Sequence, residues 1–246
     1  MKQRDASCAT VAVGLLTLWM VSTDAMLNYV KASMQPWLVL AGVALVAIGL
    51  FGFVRGWRVD PDDEPDGDDG HGHPHSRVGW FLVLPIVVVI AVGTQSLGSF
   101  AAGRAGSRAL PEYSFDIAGY AHDRDESVPA LQILDVHLGA HQPGNRQYLL
   151  THDVRLRGFV TRDAAAADGG FVLNRFLISC CAADATRLSV GMTGAAKIPS
   201  DDAWVEVRAR LLPQRPADTA DGPKAVFRVR ELRHVPPAPD PYEGLR

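Results

Sequence analysis

The sequence predicts a membrane α region of three N-terminal transmembrane helices joined to an all-β, OB-like C-terminal domain on the extracytoplasmic side. Three uncharged apolar runs crowd into the first hundred residues. The second half alternates apolar and charged residues with a period of two, which marks half-buried strands. Basic residues gather on one side of the apolar runs and so orient the chain.

Ala6–Thr23 and Trp37–Val54 carry no charge over the about 17–25 residues that a hydrocarbon core demands. Val78–Phe100 is also uncharged, with Pro85 as an expected kink. A cleaved signal peptide is the rival reading of the first run, because Lys2 and Arg4 precede it. No clear small-x-small cleavage site follows, and two more apolar runs do, so three membrane helices are expected within residues 1–100. Lys2, Arg4, Arg55, Arg58 and Arg77 flank one side, against Lys31 alone between the first two helices. The positive-inside bias puts the N-terminus and the 55–77 loop in the cytoplasm and everything after Phe100 outside, although Arg104 and Arg108 pull weakly the other way. The expected setting is a multi-pass protein of the cell membrane, with the lipid bilayer as its first partner.

The cytoplasmic loop reads VDPDDEPDGDDGHGHPHS, with seven carboxylates from Asp60 to Asp69 followed by His71, His73 and His75 at every second position. Its Pro, Gly and charge content cannot bury a core, so a disordered segment is expected. Imidazole and carboxylate together suit a transition metal such as zinc, copper or nickel. A solvated acidic linker with no ligand is the competing reading.

Beyond the third run, residues 101–127 are small, polar and rich in Gly and Pro, and read as a tether. Residues 128–246 read as the β-domain. In DAWVEVRARLL, Val205, Val207, Ala209 and Leu211 fall on one face while Glu206, Arg208 and Arg210 fall on the other. LLTHDVRLRGFV repeats this, with Leu150, Val154, Leu156 and Val160 against Asp153, Arg155 and Arg157. AVFRVREL supplies a last strand, Phe227 and Val229 in, Arg228 and Arg230 out. Five or six such strands without a long helical pattern predict a small barrel, partly open and OB-like.

NRFLISCCAADA places Cys180 and Cys181 at the end of an apolar strand. On an undistorted strand, Cys180 shares a face with Val172, Phe176 and Ile178, and Cys181 with Leu173 and Leu177, so the two thiols point apart. They meet only if the strand ends or bulges there, which Ala182, Ala183 and Asp184 allow. Three readings stand side by side. Both cysteines are small buried residues; or they hold a metal or soft ligand with Asp184 or with a histidine such as His137, His141 or His152; or they form a vicinal disulfide, which an oxidising compartment permits. No CxxC is present, and Cys8 lies in the first apolar run.

No GxSxG, HExxH, Walker A or GxGxxG sits in its required context, so no enzymatic role is expected. The net charge of −3 gives no global basic field. Arg155, Arg157, Arg208, Arg210, Arg228 and Arg230 lack the aromatic ladder of a single-strand binder, so no nucleic acid is expected as a partner. An arginine-rich face suits anionic lipid headgroups instead.

Taken together, the order of three apolar runs, the His/Asp-rich loop, SLGSFAAGRAG, GFVTRD, RFLISCCAADA, AWVEVRARL and PPAPDPY resembles the YcgQ-like family of bacterial two-domain membrane proteins. The resemblance spans nearly the whole chain, and RFLISCCAADA is its most specific element; the strongly acidic loop departs from it. It implies a permease subunit whose partner is a multi-span YcgR-like permease, with Cys180, Cys181 and Asp184 as motif positions. The expected function is that of an accessory subunit that binds a metal ion, zinc or another transition metal, or a soft solute for transport. Cys180, Cys181 and Asp184 form the expected extracytoplasmic site, and His71, His73 and His75 a cytoplasmic collector. The alternative is a structural or protein-interaction module with buried, inert cysteines.

Overall fold

The computed structural model describes residues 3–58, 96–105, 115–123, 127–162, 170–213 and 225–244. They fall in two compact units, Met1–Gln95 and Ser96–Arg246.

Among the described residues the first unit holds a pair of helices, α1 (Gln3–Ser22) and α2 (Gln35–Arg58), joined by two 3-10 turns at Ala25–Asn28 and Ala32–Met34. Small residues let the two backbones approach closely. A Cβ on Gly49 would lie 2.6 Å from Val11 Cγ2 and 3.0 Å from the Ser7 carbonyl; on Gly14 it would lie 2.9 Å from the Gly42 carbonyl. Thr10 and Thr17 turn their hydroxyls back onto the carbonyls of Ala6 and Val13, each at 2.9 Å, so neither presents a bare polar group on an apolar helix. Trp19, Trp37, Leu40, Ile48 and Phe51 stay exposed on the outer surface. Among the described residues one helix, Ala32–Arg55, is long and apolar enough to cross a membrane, while Ala6–Ser22 is a shorter apolar helix. Of the third expected span, Val78–Phe100, residues 78–95 lie outside the described residues, as does the His71, His73 and His75 cluster. Residues 96–98 are not helical, so that span does not run as one helix to Phe100. Gly49→Leu is expected to force the two helices apart and destabilise the hairpin by about 1–3 kcal/mol, read as a lower thermal midpoint of the detergent-solubilised chain; an unchanged midpoint sinks the close packing.

The second unit begins with a short helix, α3 (Ser99–Ala102), and continues with α4 (Ile117–Asp123), β1 (Ala130–Leu131), α5 (Ile133–Gly139) and α6 (Pro143–Thr151). Five longer strands follow: β2 (Val154–Thr161), β3 (Phe171–Leu177), β4 (Thr186–Thr193), β5 (Trp204–Leu211) and β6 (Val226–His234). A final strand, β7, is Tyr242–Glu243. The expected barrel is present with five strands, but it is closed and not partly open, because β2 pairs with β3 as well as with β5: β2 pairs with β5, β5 with β6, β6 with β4, β4 with β3, and β3 with β2 again. All these pairings are antiparallel except β4 with β6. Closure brings Gly158 so near β3 that a Cβ there would sit 2.5 Å from the Asn174 carbonyl.

The predicted alternation of β5 holds, with Val205, Val207, Ala209 and Leu211 all buried. Leu150 does not belong to that pattern. It lies in α6, which Pro143 opens at its first turn and where a fixed φ favours helix over strand. α5 likewise starts where Asp135, in its first turn, accepts from the Gln132 backbone N–H at 2.9 Å. The main core lies inside the barrel and under α5 and α6, and it includes Ile117. A second, smaller core joins Ala102 to Phe159, Phe176, Ile178, Trp204 and Tyr242. α3 is tied down by Asp202, whose carboxylate accepts from the Ser99 backbone N–H and hydroxyl, both at 2.6 Å.

Candidate metal site

The strand that carries the cysteines stops at Leu177. Ile178 still points inward at 1% exposure, but Ser179 and Cys180 bend away, and a 3-10 turn at Ala182–Asp184 follows. Asp184 makes that bend. Its Oδ1 accepts from the Ser179 N–H at 2.8 Å, and its Oδ2 accepts from the N–H groups of Cys180 at 2.8 Å and Cys181 at 3.3 Å. One carboxylate thus gathers three successive backbone donors, which offsets the loss of the sheet ladder. The opposite-face geometry of an extended strand does not apply, and the two sulfurs lie 3.8 Å apart and unbonded. The buried reading is corrected as well, since Cys180 is exposed and Cys181 half-buried.

Cys180 Sγ donates to Asp184 Oδ2 at 2.9 Å. This bond, with the contact to Cys181, pushes the Cys180 thiol up to about 11. Burial works to raise the Asp184 carboxyl, but the hydrogen bonds from Cys180 Sγ and from the N–H groups of Ser179, Cys180 and Cys181 outweigh it and bring it down to about 2. In neutral solution the site therefore holds a carboxylate with a thiol proton shared against it.

The ligand atoms of Cys180, Cys181 and Asp184 lie within 4.8 Å of one another. A tetrahedral ion with metal–sulfur bonds of about 2.3 Å spans two sulfurs about 3.8 Å apart, so the sulfur pair is already at ion-bridging separation. The Cys180–Asp184 edge is shorter, at 2.9 Å, the length of a thiol–carboxylate hydrogen bond. Replacing that proton requires the edge to open by roughly 0.6 Å, within reach of small side-chain rotations. The donor set of two thiols and a carboxylate fits zinc or another borderline-soft ion. His137, His141 and His152 do not join the group among the described residues. The His152 ring instead stacks on Tyr148 at 4.2 Å.

Residues 144–243 match the DUF1980 C-terminal domain. The match takes in the barrel strands, the thiol turn and β7, and it fits the YcgQ-like resemblance in general terms. No curated protein matched the chain. Among solved structures, a protein assigned as an aspartyl-tRNA synthetase from Leishmania major Friedlin aligns at 10% identity with a TM-score of 0.26. The alignment covers 52% of this chain and 23% of that one, so this chain spans less than a quarter of that structure's length.

The sequence did not single out Arg175 and Glu243. Both are buried, and their side chains face each other at 3.7 Å. The one available signal was an arginine in the middle of the apolar run FVLNRFL.

Proposed function

We propose that this chain is an accessory, non-enzymatic subunit of a membrane permease and that its OB-like barrel holds a metal ion or soft solute at Cys180, Cys181 and Asp184. The observation that carries the reading is the sulfur pair at 3.8 Å beside a carboxylate on an exposed turn. A set of three ligands, of which Cys180 is exposed and Cys181 and Asp184 half-buried, leaves a coordination position open, as a site that takes up and passes on its cargo needs. In this reading the chain crosses the membrane more than once, the barrel lies on the extracytoplasmic side, and the partner is a multi-span YcgR-like permease. His71, His73 and His75 then serve as a collector on the opposite side. The DUF1980 match over the barrel supports the family resemblance on which the permease partner rests.

A second reading is favoured by the self-sufficient hydrogen bonding of the turn. Asp184 already satisfies three backbone donors and the Cys180 thiol, as a purely structural corner would. Metal content and free-thiol count of the full chain, purified without oxygen or chelator, separate the two. About one ion per chain on this three-ligand set supports the binding subunit. No ion at any concentration of added zinc leaves the structural module.

A further inference from the structure

The thiol turn leaves β3 directly after a short stretch that β7 alone covers on one edge. β2 pairs with β3 no further than Asn174, whereas Phe176 and Leu177 pair with Tyr242 and Glu243. Two residues of parallel pairing hold little by themselves, and the segment that carries them is anchored elsewhere. Glu243 receives the backbone N–H groups of Ile133 at 2.8 Å and Leu134 at 2.7 Å, at the start of α5. Arg175 donates to the carbonyls of Asp240 and Tyr242, both at 3.2 Å, and lies over the Trp204 ring at 5.1 Å. Tyr242 belongs to the small core that includes Ile178, the residue before the bend, and Ala185, the residue after Asp184, packs against that core.

The Arg175–Glu243 pair is a costly way to obtain stability. Side-chain exposures of 9% and 2% mean that both charges have lost most of their hydration, and an apolar pair of the same volume often serves a fold equally well or better. What this arrangement of hydrogen bonds supplies is register, with Arg175 donating to the Asp240 and Tyr242 carbonyls and Glu243 accepting from Ile133 and Leu134. Here it fixes which residues of the C-terminal strand meet Phe176 and Leu177, and so where the chain stands when it enters the bend.

We infer that Arg175 and Glu243 are positioning residues for the thiol turn, locking the C-terminal strand onto β3 so that Cys180, Cys181 and Asp184 are presented together. The functional meaning rests on the metal-holding role of that turn, and the test separates the two. In full-length chain in lipid nanodiscs, the paired variant Arg175→Met with Glu243→Leu leaves no charge stranded in the interior. Its thermal midpoint is expected to fall, because the Ile133 and Leu134 N–H groups lose their acceptor. Amide hydrogen exchange at Ser179, Cys180 and Cys181 is expected to quicken at least about tenfold more than at β5 amides, and the zinc Kd to rise at least about tenfold. Glu243→Gln, which keeps the side-chain volume, should move the same three amides by about threefold, and it carries the test if the paired variant does not accumulate. Unchanged exchange at those amides in a folded variant overturns the positioning role. Faster exchange in a chain that never binds zinc upholds the positioning and removes the metal-holding role instead.

Discussion

Zinc binding is expected to fall by more than about a thousandfold when Cys180 and Cys181 are both replaced by serine, with little change in the fold. A serine hydroxyl is a hard donor that keeps its proton near neutral pH, so the two soft ligands disappear while the carboxylate remains. The turn itself should survive. Serine at position 180 still has a hydroxyl to donate to Asp184, and the three backbone bonds to that carboxylate do not involve the sulfurs. Neither cysteine lies in the core, so stability should change by no more than about 0.5 kcal/mol. Titration calorimetry and thermal unfolding of the variant beside its parent make the check. A double-serine chain that binds zinc as well as the parent ends the case for this site. One that unfolds many degrees lower shows that the sulfurs serve the fold.

The second large effect is of pH on affinity. In the empty site the Cys180 thiol holds its proton up to about 11, and the ion must displace it. The empty state therefore carries a proton that the loaded state lacks, and raising the pH favours loading. Each thiol proton displaced weakens binding about tenfold per unit of pH below that thiol's value, so the Cys180 proton alone gives at least about a hundredfold between pH 8 and pH 6. Asp184, brought down to about 2, is ionised throughout this range and adds no slope of its own. Apparent zinc Kd values at pH 6, 7 and 8, with proton release followed in two buffers of different ionisation enthalpy, test the sign and the size. A Kd that does not move with pH means that the Cys180 sulfur is not a ligand.

Legibility in the sequence followed the range of the interactions. The strand β5 could be read because inward and outward residues alternate locally, and each of Val205, Val207, Ala209 and Leu211 is decided by its own side chain. Closure of the barrel is different, since it depends on β2 meeting β3 at Gly158, where the absence of a side chain is what matters. Around the cysteines, strand geometry kept the thiols apart, and the remedy lay in Asp184. Its capping of three donors ends the strand at Leu177 and turns both sulfurs to one side. An acidic residue seven positions past the end of a strand carries that meaning only when the donors already converge. The Arg175–Glu243 clasp joins residues far apart in sequence, and no local pattern announces it.

In the helical hairpin, the glycines are consumed internally. Gly14, Gly42 and Gly49 all abut the opposing helix, and each would clash if it carried a methyl group. What the hairpin offers outward is a rough relief of Trp37, Leu40, Ile48 and Phe51, side chains with rotamers to lose. Another helix that settles against those side chains meets bulky apolar groups in place of a glycine groove. It must fit knob into notch against large apolar groups, so recognition there is a matter of shape complementarity between bulky surfaces, and a companion helix selected for that fit would be rich in small residues on its own side.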